Sequence, residues 1–174
     1  MVARDLLGKL LVVEEDGTRV ARIVEVEAYL SDDPASHAFR PETPRTAPMF
    51  GRPGHAYVYI SYGQHHCMNV VAKSPGRPAG AVLIRGAEPV AGLPDGPRSL
   101  AGPGNLGKAL GLRAARHSGL DLLRPPLTVR DAPRVPAALV GRSARIGLSS
   151  GATLHKAWRL YVRGSPGVSR SPRR

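Results

Sequence analysis

The sequence predicts one β-rich domain in which strands and loops outweigh long helices. Three observations carry this. The 174 residues, 42% hydrophobic and 22% charged, suffice for one soluble domain with a real core and are short for two. Twenty glycines and 17 prolines make up about a fifth of the chain, which implies many turns and short elements. Two pairs of apolar runs also flank short turn signals, the pattern of β-hairpins.

In chain order, "LLGKLLVVEEDGTRVARIVEVEAYL" holds the first pair, with strands expected near 10–14 and 19–29. Asp16-Gly17 marks the turn, because a tight hairpin turn needs positive φ. Strand alternation places Val24, Val26, Ala28 and Leu30 on one face, and Ile23, Glu25, Glu27 and Tyr29 on the other. Residues 31–54 carry five prolines and read as a long ordered loop. "AYVYISYGQHHCMNVVA" gives a second hairpin, arms Ala56–Ser61 and His65–Ala72, with Tyr62 at or near its tip. "GAVLIRGAEPV" at 80–90 is a further strand, "GNLGKALGL" a short helix after Pro103, and "SARIGL" and "RLYVRG" late strands. Residues 167–174 are expected to be flexible, frayed or laid along a partner.

Charge bounds the partner. There are 25 Lys and Arg against 13 Asp and Glu, a net +12, and no carboxylate side chain follows Asp131 although nine basic residues do. Such a surface attracts polyanions by releasing their condensed counterions, so nucleic acid leads, with simple solubility charge as the alternative. Cys67 is the sole cysteine, which excludes an intramolecular disulfide or a cysteine-based zinc site. No stretch is a membrane span or resembles a secretory leader, and a cytoplasmic protein, nucleoid-associated in a prokaryote, is expected.

Two motifs fail on inspection. Gly102–Lys108 reads G-x-x-x-x-G-K, but Ala109 stands where magnesium would need Ser or Thr, and no strand precedes it. A glycine-rich turn opening a helix is the better reading. His65, His66 and Cys67 are consecutive on a strand and cannot all face one ion, so no metal is expected. Glu25 and Glu27 are, from alternation alone, equally explicable as solvated strand residues or as partners of Arg22 or Arg85. His37 alone would be an ordinary loop histidine. Composition and periodicity stop at a basic, β-rich, nucleic-acid-binding domain.

The order of motifs goes further. "RIVEVEAYL", "TPRTAPMFGRPGHAYVYISYGQHHCMNVV", "AVLIRGAEP", "GPGNLGKALG" and "RLYVRGSPGVS" together resemble the alkyladenine (3-methyladenine) DNA glycosylase family, from about Leu6 to Ser169. The resemblance implies an α+β single domain over 1–174: a curved, mainly antiparallel sheet with flanking short helices and a protruding β-hairpin. It implies a monofunctional enzyme, active as a monomer without cofactor, that turns damaged purines out of duplex DNA. It would hydrolyse the N-glycosidic bond and start base-excision repair.

Residue by residue, Glu27 matches the glutamate that activates water, and Arg85 an arginine near that water. Tyr29, His37 and Tyr59 match residues that stack on the extruded base, and Asn69 one that excludes guanine by conflict with its exocyclic amine. Tyr62, beside Gly63, matches an intercalating wedge. Met49 resembles a residue pressed against the duplex, and Arg45 and Arg163 are candidate phosphate contacts. Glu25 is expected to pair with a basic residue rather than act in catalysis. After "YG", Gln64 and His65 replace the bulkier apolar residues of the family pattern, which bears on the shape of the wedge's shoulder. A silent binding module of the same fold and an RNA-directed enzyme are the rival readings.

Overall fold

The computed structural model describes residues 2–96, 98–148 and 153–169. A short helix α1 (Val2–Leu6) leads into β1 (Leu10–Glu14) and β2 (Thr18–Leu30), joined by the Asp16-Gly17 turn. Both turn residues have positive φ, 48° and 99°, as the sequence requires. The 31–54 segment holds a 3-10 turn at His37–Phe39, capped by the Ser36 side chain, and one helical turn α2 (Ala47–Phe50). The second hairpin follows, β3 (Ala56–Ser61) and β4 (His65–Val71), then β5 (Gly80–Ala91). Helices α3 (Pro103–Ala109) and α4 (Ala114–His117) precede β6 (Leu127–Arg130), β7 (Val140–Ser143) and β8 (Arg159–Val162).

Among the described residues eight strands form one antiparallel sheet in the order β3-β4-β5-β2-β1-β6, with β8 joined to β2 and β7. Strand β2 is the organiser. Its first half pairs with β1, β8 takes over that edge at Glu25–Glu27, and β5 runs along the other edge. A strand with different neighbours along its two halves curls the sheet.

Both faces of the sheet are covered. Val26, Val58, Met68, Val82 and Ile84 pack on one side with Leu100, Leu106, Leu110 and Leu112 in the main core. On the other side Tyr57, Val71 and Ala81 pack under Ala38 and Met49 of the long loop. The second glycine of the G-x-x-x-x-G-K pattern, Gly107, explains itself here. A Cβ on Gly107 would lie 1.8 Å from the His66 carbonyl oxygen, so glycine lets α3 touch β4 directly.

Three local expectations are corrected. Strict alternation put Ile23 on the glutamate face, but pairing with β5 is irregular around Ile23–Val26, and Ile23 joins Val26 in the main core. A bulge of this kind re-aims side chains within one strand. In "SARIGL" only Ser143 belongs to a strand; Ala144–Leu148 leaves the sheet, because the Ile146 N–H is used by the Glu27 carboxylate instead of a ladder. Gly167–Ser169, expected to fray, is fastened down: the Ser169 N–H donates to Glu25 Oε2 at 2.7 Å. The rest of that tail, 170–174, lies outside the described residues.

Candidate active site

Strand register assembles the site in a row. Tyr57 on β3 lies opposite Asn69 on β4, Asn69 opposite Leu83 on β5, Leu83 opposite Glu27 on β2, and Glu27 opposite Arg159 on β8. With strands about 4.8 Å apart, that row crosses the sheet below the long loop. Residues two positions along, Tyr29, Tyr59, Cys67 and Arg85, share its face.

Above the row is a cavity of ≈ 290 Å³, at the small end of ligand sites. Its walls include Tyr29, His37, Met49, Tyr57, Tyr59, Tyr62, Asn69 and Arg85, and Cys67, Pro103 and Ile146–Leu148 are also on the lining. Tyr57 and Tyr59 stack with centroids 5.5 Å apart and planes at 24°. The His37 ring stands edge-on to Tyr59 at 4.7 Å, and its Nδ1 is 2.9 Å from the Tyr57 hydroxyl. Burial, helped by the Arg45 charge, lowers the His37 pKa and keeps the imidazole neutral at pH 7. Asn69 is fixed by its amide donating to the Tyr57 carbonyl at 3.1 Å. Burial also raises the Cys67 thiol, which leaves it protonated and poorly nucleophilic.

Glu27 lies directly behind this wall, fully buried. Oε2 accepts the Tyr29 hydroxyl at 2.9 Å, Oε1 accepts the Ile146 N–H at 2.8 Å, and Arg85 Nη1 is 3.5 Å from Oε2. Burial dominates its titration and raises the pKa above 4.5, although Arg85, Ile146 and Tyr29 all pull the other way. A carboxylate in this state is a stronger base than one in water, and so better suited to taking a proton. Glu25 is also buried but occupied: it receives Arg159 Nε at 2.6 Å and the Ser169 hydroxyl at 2.9 Å. Among the described residues no group of three or more His, Cys, Asp or Glu is placed to hold a metal ion.

A family model described as methylpurine-DNA glycosylase matches residues 1–166. The chain belongs to that family. Similar proteins include one from Myxococcus xanthus, 52% identical over 99% of this chain and 89% of its own length. Another, from Anaeromyxobacter dehalogenans strain 2CP-1, is 51% identical over 98% of this chain and 80% of its own. A third, from Chlorobaculum tepidum, is 44% identical over 98% and 86%. Each of the three is provisionally named a 3-methyladenine DNA glycosylase. This methylpurine-DNA glycosylase family member is accordingly a hydrolase acting on N-glycosyl bonds, with DNA as its substrate.

Most of the residues singled out in the sequence converge on this cavity. Tyr29, His37, Tyr59, Tyr62, Asn69 and Arg85 line it, and Glu27 backs it. Met49 needs correction: it is 2% exposed, packed with Ala38 and Tyr57, so it shapes the cavity wall and presents no surface to a duplex. Arg45 is exposed, its guanidinium 5.7 Å from the Tyr59 ring centre. Arg163 is exposed after β8 and does not line the cavity.

Sequence reasoning missed Tyr57, although it shares a strand face with Tyr59 and alternation could have found it. It also missed Arg145 and Ile146. Buried Arg145 stacks on Tyr29 at 4.4 Å and Trp158 at 5.0 Å, pairs with Asp33, and donates to the Ala28 carbonyl. It thereby fixes the backbone that brings the Ile146 N–H to Glu27.

Tyr29→Phe removes the hydroxyl that Glu27 accepts and nothing else. The ring stays, but the buried Glu27 carboxylate loses a donor, and its pKa rises further. A hydrogen bond to a charged group is worth about 1.5–3 kcal/mol, so the acid limb of any reaction in which Glu27 takes the proton should move up by on the order of one pH unit. A pH–rate profile identical to that of the unsubstituted enzyme would show that the hydroxyl does not hold the carboxylate.

Proposed function

We propose that this glycosylase turns a damaged purine nucleotide out of duplex DNA into the Glu27-backed cavity and hydrolyses its N-glycosidic bond. The observation that carries the reading is Glu27 itself, a buried carboxylate with raised pKa immediately behind an aromatic cavity, on a chain of net charge +12. The oxygen of a water attacks C1′ as the C1′–N bond breaks, and the bonding pair leaves with the base. Glu27 takes the water's proton and steadies the oxocarbenium-like charge on the sugar. Products are the free base and an abasic site. The Glu27 carboxylate has no exposed surface, so nucleotide entry must bring the water past Tyr29 or Ile146.

The aromatic walls favour electron-poor rings, because a cationic alkylated purine is attracted to an aromatic face. The substrate we propose first is 3-methyladenine, with 7-methylguanine, hypoxanthine and ethenoadenine as further candidates. Asn69, whose amide donates to the Tyr57 carbonyl, is the residue we assign to rejecting guanine through its exocyclic amine. None of Lys9, Lys73, Lys108 and Lys156 lines the cavity, which argues for water over a Schiff base and against strand cleavage. Base release from dimethyl-sulfate-treated duplex DNA, beside equally treated duplex RNA, tests the reading. Release from DNA without strand breaks supports it, binding without release favours a silent module, and preference for RNA an RNA-directed enzyme.

Tyr62 is the proposed wedge. It is 92% exposed and holds φ +48°, next to Gly63 at +73° in the turn closed by Gln64 N–H to the Ser61 carbonyl. An L residue with a large side chain is disfavoured there by about 1–2 kcal/mol, so folding alone would select Asn or Gly. Tyr62→Asn should therefore leave thermal stability equal or higher while slowing release from duplex DNA. Unchanged release by this variant would remove the wedge from the mechanism.

A further inference from the structure

We infer that Ser169 is a positioning residue for Arg85 and, through it, for Glu27; this rests on the catalytic reading given above. Arg85 faces two buried carboxylates at nearly equal range, 3.4 Å to Glu25 Oε1 and 3.5 Å to Glu27 Oε2. Neither contact is a tight hydrogen bond, and neither selects the direction of the guanidinium. The close contact is elsewhere: Arg85 Nε donates to Ser169 Oγ at 3.0 Å.

That hydroxyl in turn donates its one proton to Glu25 Oε1 at 2.9 Å, where Arg159 Nε already donates at 2.6 Å. The Ser169 N–H takes the other Glu25 oxygen at 2.7 Å, and its carbonyl accepts Arg159 Nη2 at 3.2 Å. Glu25 is thus filled by partners other than Arg85. The Nε of Arg85 is spent on serine, and its Nη1 is left for Glu27 and the cavity that Arg85 lines.

The path of the chain supports this placement independently. Residues 165–169 form a strap across β5, tied by the Ser165 hydroxyl to Glu88 at 2.6 Å. It crosses where both chains are glycine. A Cβ on Gly86 would lie 2.3 Å from the Gly167 carbonyl oxygen, and one on Gly167 would lie 2.4 Å from the Ala87 oxygen. Only that approach lets Ser169 reach between Glu25 and Arg85.

The test uses the full chain with Ser169→Ala, Ser169→Thr and Glu27→Gln in parallel. Single-turnover base release is read on dimethyl-sulfate-treated duplex DNA, affinity on a duplex with an abasic-site analogue, and folding by thermal melting. Ser169→Ala should slow release by about 10- to 100-fold, the scale of a misoriented catalytic group, with affinity within about threefold. Ser169→Thr, which keeps the hydroxyl, should restore most of the rate.

Release by Ser169→Ala at the unsubstituted rate overturns the inference. So does a loss carried by affinity, a loss that Thr does not restore, or a variant that melts below the assay temperature, since each assigns the serine to folding or binding. If Glu27→Gln is fully active, the catalytic reading itself has failed. If Glu27→Gln is inactive and Ser169→Ala normal, only the positioning role has.

Discussion

Glu27→Gln should lower single-turnover base release by a factor on the order of 10²–10⁴, the contribution of a positioned general base. The substitution is nearly isosteric and removes both the ability to take a proton and the negative charge that would steady the sugar. It also disturbs the carboxylate's holders, since a glutamine NH₂ must face either the Tyr29 hydroxyl or the Ile146 N–H, both of which now donate. One unsatisfied donor costs about 1–3 kcal/mol, offset in part because an anion is no longer buried. The variant should therefore fold and bind DNA.

The pH dependence follows from the sign of the Glu27 shift. A general base works only when deprotonated, and burial raises this pKa above 4.5, so activity must fall on the acid side at a pH above the ordinary carboxylate range. The residual rate of Glu27→Gln should lack that limb. Rate profiles of the two proteins from pH 4 upward check this, and a shared acid limb would assign it to another group.

The second large effect is on stability. Arg145→Met should destabilise the fold by about 3–5 kcal/mol, because it leaves Asp33 buried without its counter-ion. For a chain of this length that is a fall in Tm on the order of 10 °C. The pair has no slack: Arg145 Nε finds no acceptor among the described residues, and Asp33 is engaged by Arg145, Thr153 and the Ala35 N–H.

Burial pushes the Asp33 carboxyl up, but those three donors outweigh it and hold its pKa below 3.8. A carboxylate depressed in the folded state adds stability that is present above its unfolded pKa. That stability is lost as pH falls through the folded value. The unsubstituted protein should lose Tm as pH drops below about 4, and Asp33→Asn should flatten that slope while starting lower. Equal Tm values for Arg145→Met and the unsubstituted chain would contradict the assignment.

The parts of the fold legible in the sequence are those set by local geometry. Asp16-Gly17 and Gly63 announce turns because Asp and Gly tolerate positive φ, and all three adopt it; Tyr62 is held there against its own preference. Alternation along β2 correctly joins Glu25, Glu27 and Tyr29, and would have joined Tyr57 to Tyr59. What stayed hidden depends on distant chain. The irregular pairing that sends Ile23 to the core arises opposite β5, and the Arg159–Glu25 and Ser169–Glu25 contacts span 134 and 144 residues. No periodicity encodes such separations. Met49 was misplaced for the same reason, since its burial depends on the long loop folding over β3 and β5. Arg145 follows a strand signal that breaks at Ser143, and nothing local marks it as buried.

The most direct measurement is a crystal structure with duplex DNA carrying an abasic-site analogue. The account predicts Tyr62 in the gap left by the turned-out nucleotide. It also predicts a water within hydrogen-bonding distance of Glu27, aimed at the position of C1′. A complex in which the sugar sits in the cavity while Glu27 stays sealed behind Tyr29 and Ile146, with no water beside it, would contradict the account.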